Sequence, residues 1–284
     1  MSLSRIGIIG LGLMGGSLAL ALRRLHPSLQ IAGCGHTALL ERARALGAID
    51  RGSEHAAEAV RECDVVFLCT PVESSIRLLA EIAPHLAQDA IVTDVGSTKA
   101  AFAEAAREIF GPTAGARVLP GHPLAGSERS GLDHATGELY SGCAWALTPL
   151  AAELTPAQKE LRALLESLGA RIVLISPEEH DRVLAFTSHL PQMLSTALAL
   201  TLERALHAGS PALELRGSGL HSMLRLAASE PVMWEQIAAS NRENIAAALE
   251  AFEMEIRHLR ESLGESAFRS RFNEACEFAR TLRS

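Results

Sequence analysis

The sequence predicts a two-part α/β protein, with a doubly wound, mostly parallel sheet first and an all-α domain after it. Three observations lead there. Short β-branched apolar runs alternate with Ala/Leu/Glu/Arg-rich segments up to residue 175, the pattern of βα units covering a parallel sheet. A glycine-rich turn stands at the first strand–helix junction. From residue 178 onward no strand candidate appears.

The predicted strands are 5–10, 30–34, 64–70, 90–95, 116–120, 144–148 and 170–175. Several are continuous apolar runs, as expected of strands covered on both faces. Helical patterns at about 14–25, 38–46, 73–87, 98–110 and 155–168 lie between them. Ser176-Pro177 marks the change of character, with serine as an N-cap and proline in the first turn. The expected domains are therefore 1–176 and 177–284. At about 150 residues per domain, two suit this length. Helices are expected at about 177–208, 211–227, 230–262 and 264–282. In the third, Ile245, Leu249, Phe252, Ile256, Leu259 and Leu263 form a seam with a 3.5-residue period. Such a seam needs a long partner helix, in the same chain or in a second copy. A homodimer through the helical domain is the favoured expectation.

Of the 284 residues, 48% are hydrophobic and 21% charged, ordinary for a globular chain. Aromatics are scarce at 4%, and the net charge is −7. Base stacking needs aromatics and duplex binding needs positive charge, so no nucleic-acid partner is expected. The cysteines at 34, 63, 69, 143 and 276 form no CxxC pair and no cluster at metal-ligand spacing. They read as reduced thiols of a cytoplasmic protein, with no metal. The N-terminus, Met-Ser-Leu-Ser-Arg before Ile-Gly-Ile-Ile-Gly, lacks a signal-peptide pattern. The most apolar stretch, near 183–202, is interrupted by His189, Pro191, Gln192 and hydroxyls. It falls short of the ~20 apolar residues that span a bilayer, so no membrane is expected.

Gly10-Leu11-Gly12-Leu13-Met14-Gly15 follows a strand and opens an apolar helix. The glycines serve a tight turn, backbone approach to a pyrophosphate and close helix–sheet packing. The helix N-terminus offers N–H groups to the phosphates. The motif predicts a Rossmann-type domain binding a dinucleotide. An acidic residue about 20 positions on would hold the ribose 2′-hydroxyl of NAD. Here Cys34-Gly35-His36-Thr37 stands at that place, without a carboxylate. NADP is therefore favoured over NAD, with His36, Thr37 and Arg42 as candidate 2′-phosphate contacts.

Two strand ends and one helix carry further polar clusters: Asp94-Val95-Gly96-Ser97-Thr98-Lys99, Gly121-His122-Pro123-Leu124-Ala125-Gly126-Ser127-Glu128, and Ser188-His189-Leu190-Pro191-Gln192. Ligands bind at the carboxyl ends of parallel strands. A histidine there, beside a nicotinamide, suits proton acceptance.

With Leu68-Cys69-Thr70-Pro71, Glu179-His180-Asp181, Arg225-Leu226-Ala227 and Met233-Trp234 added, in this order along the chain, the sequence resembles the prephenate/arogenate dehydrogenases of tyrosine biosynthesis. The resemblance implies NAD(P)-dependent oxidative decarboxylation of prephenate or arogenate to 4-hydroxyphenylpyruvate or tyrosine. It implies that His122 takes the proton of the ring hydroxyl, with Ser97 bonding the hydroxyl or His122. Arg225 would hold a substrate carboxylate, its planar fork suiting a bidentate anion. His189, Gln192, Glu128 and Trp234 would line the substrate pocket between the domains. Thr70 and Pro71 would border the cofactor. Plainer roles compete: Ser97 as a helix cap, Arg225 in an ion pair with Glu230, Trp234 as packing, and His180 and Asp181 as structural first-turn residues.

Gln192 departs from the family, many of whose members carry histidine there. It can still donate and accept hydrogen bonds but holds no charge. No fused mutase segment is expected before residue 5 and no regulatory domain after the helices. A β-hydroxyacid dehydrogenase would need a catalytic lysine on a helix of the second domain. After Lys99 only Lys159 remains, and it lies in the first domain. A non-catalytic NADP sensor would need the glycine turn but not Ser97, His122 and Arg225 together.

Overall fold

The structure, a computed structural model, describes residues 3–126, 129–207 and 209–282. Five strands form a parallel sheet: β1 (Arg5–Ile9), β2 (Gln30–Cys34), β3 (Arg51–Ser53), β4 (Val65–Leu68) and β5 (Ile91–Asp94). Their order is β3-β2-β1-β4-β5. The helices between them are α1 (Leu13–Leu25), α2 (Thr37–Ala45), α3 (Ala56–Ala59), α4 (Val72–Ile82) and α5 (Ala100–Phe110), with a short α6 (Ala114–Arg117) following. Alternation along β4 explains the layers. Val65 and Phe67 face a core shared with Leu18 and Leu22 of α1, whereas Val66 and Leu68 face one shared with Leu79 of α4 and Phe102 of α5. A strand apolar at every position is thus buried on both sides.

The sequence pattern extends this sheet too far. Only Val118 of the expected strand 116–120 pairs, through a single bridge to Val92. The chain then forms a separate sheet of β6 (Gly121–Pro123), β7 (Ala144–Leu147) and β8 (Arg171–Leu174), with α7 (Pro156–Ser167) before β8. β6 runs antiparallel to β7, and β8 parallel to it.

The remaining helices are α8 (Pro177–Leu184), a π-helical turn (Ala185–His189), α9 (Leu190–Leu206), α10 (Ser218–Leu224), α11 (Pro231–Ser240), α12 (Arg242–Glu261) and α13 (Ser266–Thr281). The chain divides into two compact units, Met1–Leu184 with Ala228–Asn241, and Ala185–Ala227 with Arg242–Ser284. Residues 177–184 and 228–241, grouped with the helical domain by sequence pattern, cluster with the first unit. Asp181 of α8 binds the start of α5, and Ser240 of α11 bonds the Thr98 hydroxyl at 2.8 Å.

By length and composition, the 30-residue stretch Pro177–Leu206 is apolar enough to cross a membrane, beyond what the sequence pattern led one to expect. The helix continues past Pro191 because the preceding turn widens into a π turn, which relieves the proline ring's clash with the turn before it. His180, Asp181, Gln192 and Ser195 on this stretch are buried and hydrogen-bonded within the protein.

Candidate active site

The turn between β1 and α1 is built from glycine. Gly10 has φ +92°, and a Cβ there would lie 2.6 Å from the Cys69 carbonyl oxygen. At Gly15 a Cβ would lie 2.0 Å from the Gly10 oxygen, so helix and turn touch backbone to backbone. Around Gly12, by contrast, a Cβ would meet nothing within 4 Å. No side chain caps α1, which opens with Leu13 and Met14. Open space beside uncapped first-turn N–H groups suits a pyrophosphate. Thr70 and Pro71, at the end of β4, adjoin this turn: the Thr70 methyl lies 2.8 Å from the Cβ position of Gly10. Pro71 N-caps α4, and the Thr70 hydroxyl pairs with Ser75 at 2.8 Å.

The β2–α2 turn holds a carboxylate that counting along the chain missed. Glu54 follows β3, which pairs with β2 in the register Cys34↔Ser53. Its Oε1 accepts from the Thr37 backbone N–H at 2.6 Å and from the Thr37 hydroxyl at 2.8 Å. These bonds from Thr37 hold the Glu54 carboxyl below its usual range. His36 N-caps α2, its Nδ1 accepting from Leu39 N–H at 3.3 Å. Arg42 pairs with Asp133 at 3.0 Å.

A buried ion pair links the loop bearing Ser97 to the strand bearing His122. Asp94, the last residue of β5, accepts from Gly96 N–H at 2.9 Å and Gly121 N–H at 3.1 Å. The Lys99 ammonium bonds Asp94 and also the Gly121 carbonyl at 2.7 Å. Neither side chain is exposed. Burial pulls the Lys99 pKa down, against the opposing pull of Asp94. The position of Lys99, tied to neighbouring backbone, makes it a clamp. Ser97 does not cap α5: Asp181 does, accepting from Lys99 N–H at 2.7 Å and Ala100 N–H at 2.9 Å.

His122 lies on β6, an edge strand. Its Nδ1 is 2.9 Å from His180 Nε2, and His180 Nδ1 is 2.8 Å from Asp181 Oδ1. His180 and Asp181, expected to be plain first-turn residues, thus continue from His122 into the interior. The Glu179-His180-Asp181 triplet pointed to this position; the contact across 58 residues with His122 carries no local signal. Trp234 lies half-buried on α11, in the same compact unit. Glu128 lies outside the described residues.

In the second unit, His189 is buried in the π turn. Gln192 Nε2 donates to the Leu226 carbonyl at 2.8 Å. The Ser195 hydroxyl donates to the Met223 carbonyl at 2.7 Å and accepts from Ala227 N–H at 2.9 Å. Together they fasten the turn that presents Arg225, which is exposed.

Taking a hydride and a proton from an alcohol calls for a dinucleotide and a base, and the first unit holds a glycine turn and a buried histidine suited to those tasks. That defines a nicotinamide-dependent oxidoreductase. The chain belongs to the prephenate dehydrogenase family: the family's nucleotide-binding domain matches residues 18–174 and its dimerization domain residues 176–282. A cyclohexadienyl dehydrogenase of Zymomonas mobilis is 33% identical over 260 residues, covering 91% of this chain and 88% of its own. The crystal structure of prephenate dehydrogenase from A. aeolicus, in complex with hydroxyphenyl propionate and NAD+, is similar at a TM-score of 0.89 and 31% identity, covering 100% of this chain and 99% of its own. A Synechocystis arogenate dehydrogenase is similar at a TM-score of 0.84 and 30% identity, covering 99% and 100%.

Proposed function

We propose that the protein is a prephenate or arogenate dehydrogenase, converting its substrate to 4-hydroxyphenylpyruvate or tyrosine and CO2. The observation that carries this is His122, a buried histidine backed by His180 at 2.9 Å, in a chain of this family. Held at the glycine turn, a nicotinamide would supply the acceptor for the hydrogen of the hydroxyl-bearing ring carbon and its electron pair. His122 takes the hydroxyl proton as that bond breaks. The ring carboxylate leaves as CO2, and its bonding pair aromatises the ring. His122 then returns the proton to the phenolate oxygen, so the reaction releases no net proton.

Ser97, on the loop held by Asp94, bonds the hydroxyl or His122. Arg225 takes a substrate carboxylate, with His189, Gln192, Glu128 and Trp234 contacting the substrate. Gly10, Gly12, Leu13, Met14, Gly15, Thr70 and Pro71 hold the cofactor. The functional division is 1–176 for cofactor and 177–284 for substrate and dimer contacts, supported by the family matches on either side of residue 175.

Counting along the sequence favours NADP; the β2–α2 turn favours NAD. A 2′-phosphate placed there meets the Glu54 carboxylate, while Thr37 and Arg42 are engaged by Glu54 and Asp133. NAD is the cofactor this supports. A homodimer through the helical unit is supported by α12, whose seam is buried at Ile245 but 50% exposed at Ile256, and by Leu263 just past its end, 64% exposed. Five cysteines without a disulfide support a cytoplasmic location.

The test is purified protein with prephenate or arogenate and each nicotinamide, followed by the absorbance of the reduced cofactor. Turnover with one substrate and a higher kcat/KM for NAD is expected. No turnover with either substrate rejects the reading.

A further inference from the structure

We propose that His180 and Asp181 are positioning residues that fix the tautomer of His122 and support its charge during turnover. This rests on His122 being the base of the reaction above.

The hydrogen bonds run in one direction. Asp181 accepts from two backbone N–H groups, those of Lys99 at 2.7 Å and Ala100 at 2.9 Å. An ionised carboxylate has no proton to give, so His180 Nδ1, 2.8 Å away, is the donor to it. Neutral His180 then carries its lone pair on Nε2. His122 Nδ1, 2.9 Å from that atom, must be its N–H. The basic lone pair of His122 is therefore on Nε2, the atom that takes the hydroxyl proton.

Burial makes this setting firm. His180 is 0% and Asp181 1% exposed, so bulk water does not stand in for either. The Lys99 ammonium bonds Asp94 and the Gly121 carbonyl and reaches Asp181 only through its field, so the ring donating to the Asp181 carboxylate is His180. Asn241 Nδ2 donates to the Asp181 main-chain carbonyl at 2.8 Å and holds that residue in place. When the hydroxyl proton reaches His122 Nε2, the ring becomes an imidazolium whose Nδ1–H already points to His180. No proton moves to His180 or Asp181. The same proton leaves Nε2 for the phenolate oxygen when the ring aromatises. A base held in its working tautomer by a third group is the logic of nucleophile–base–orienter triads, here applied to an alcohol.

Two measurements test this. Imidazole nitrogen NMR of the unliganded protein reads the tautomers whatever the activity. Protonated Nδ1 and bare Nε2 on both rings are expected; a His122 protonated on Nε2 overturns the proposal. In kinetics, His180→Phe is expected to lower kcat about 10²–10³-fold, with KM for substrate and cofactor within about twofold. His180→Gln, whose side-chain oxygen can accept from His122 Nδ1–H, should restore kcat to within about tenfold of the parent. A His180→Phe variant with parental kcat, or a folded His180→Gln variant as slow as His180→Phe, overturns the proposal. Parental protein inert to both substrates but with the expected tautomers would reject the dehydrogenase reading and leave the hydrogen-bond order standing.

Discussion

The two compact units bury different things. The first seals an ion pair, a carboxylate and a histidine inside an apolar frame: Asp94, Lys99, Asp181 and His180 are all 1% exposed or less. Each has partners, since a buried charge without them is costly. The second buries Gln192, Ser195 and His189 but leaves large apolar side chains in water, among them Phe272 at 53% and Phe278 at 65% exposed. None of the described residues of α13 is buried. The first unit exposes large apolar side chains too, such as Val232 at 65% and Leu174 at 48%, but its buried ion pair and histidines are closed off from solvent. The second has apolar surface to spare for another molecule.

The contrast can be broken at four places. Lys99→Met should cost most. It leaves Asp94 charged and without its cation, and breaking such a pair costs about 3–5 kcal/mol. Chemical denaturation should show this loss in the first unit. His122→Asn should lower kcat about 10²–10⁴-fold, the usual span for a lost general base. Its cofactor affinity, measured by fluorescence titration, should stay unchanged. Ile256→Asp acts on the second unit alone and should weaken self-association at least about tenfold. Sedimentation velocity reads it, and kcat per protomer at a saturating protein concentration should persist. Glu54→Gln should be mildest, raising kcat/KM for NADP relative to NAD about fivefold by removing one like charge. An unchanged ratio would reverse the assignment of NAD.

Much of the first unit was legible in the sequence. Continuous apolar runs such as Val65–Leu68 read as doubly covered strands, and the glycine turn announced its ligand. Sheet membership was not legible. The run at 116–120 is apolar enough for a sixth parallel strand, but the pairing residues are Gly121–Pro123, and they pair antiparallel with β7. Partners distant along the chain were equally hidden. Glu54 reaches the β2–α2 turn only because β3 lies beside β2, and no count from the glycines finds it. Asp181 read only as a structural first-turn residue of its own helix; it caps another helix, at a residue 82 positions away along the chain. Gln192 stands where a substrate contact was expected; its amide nitrogen bonds the Leu226 carbonyl, a neighbour that periodicity does not show.

The two tryptophans differ in a way that light can read. Trp145 is fully buried, its ring centroid 4.9 Å from that of Tyr140, the only tyrosine in the chain. Excitation absorbed by Tyr140 passes to Trp145, so the tyrosine is dark while the first unit is folded and brightens when it opens. Trp234, half-buried on α11, is the tryptophan a quencher in solution reaches. One emission spectrum therefore carries two separable signals, one for the integrity of the interior and one for events at α11.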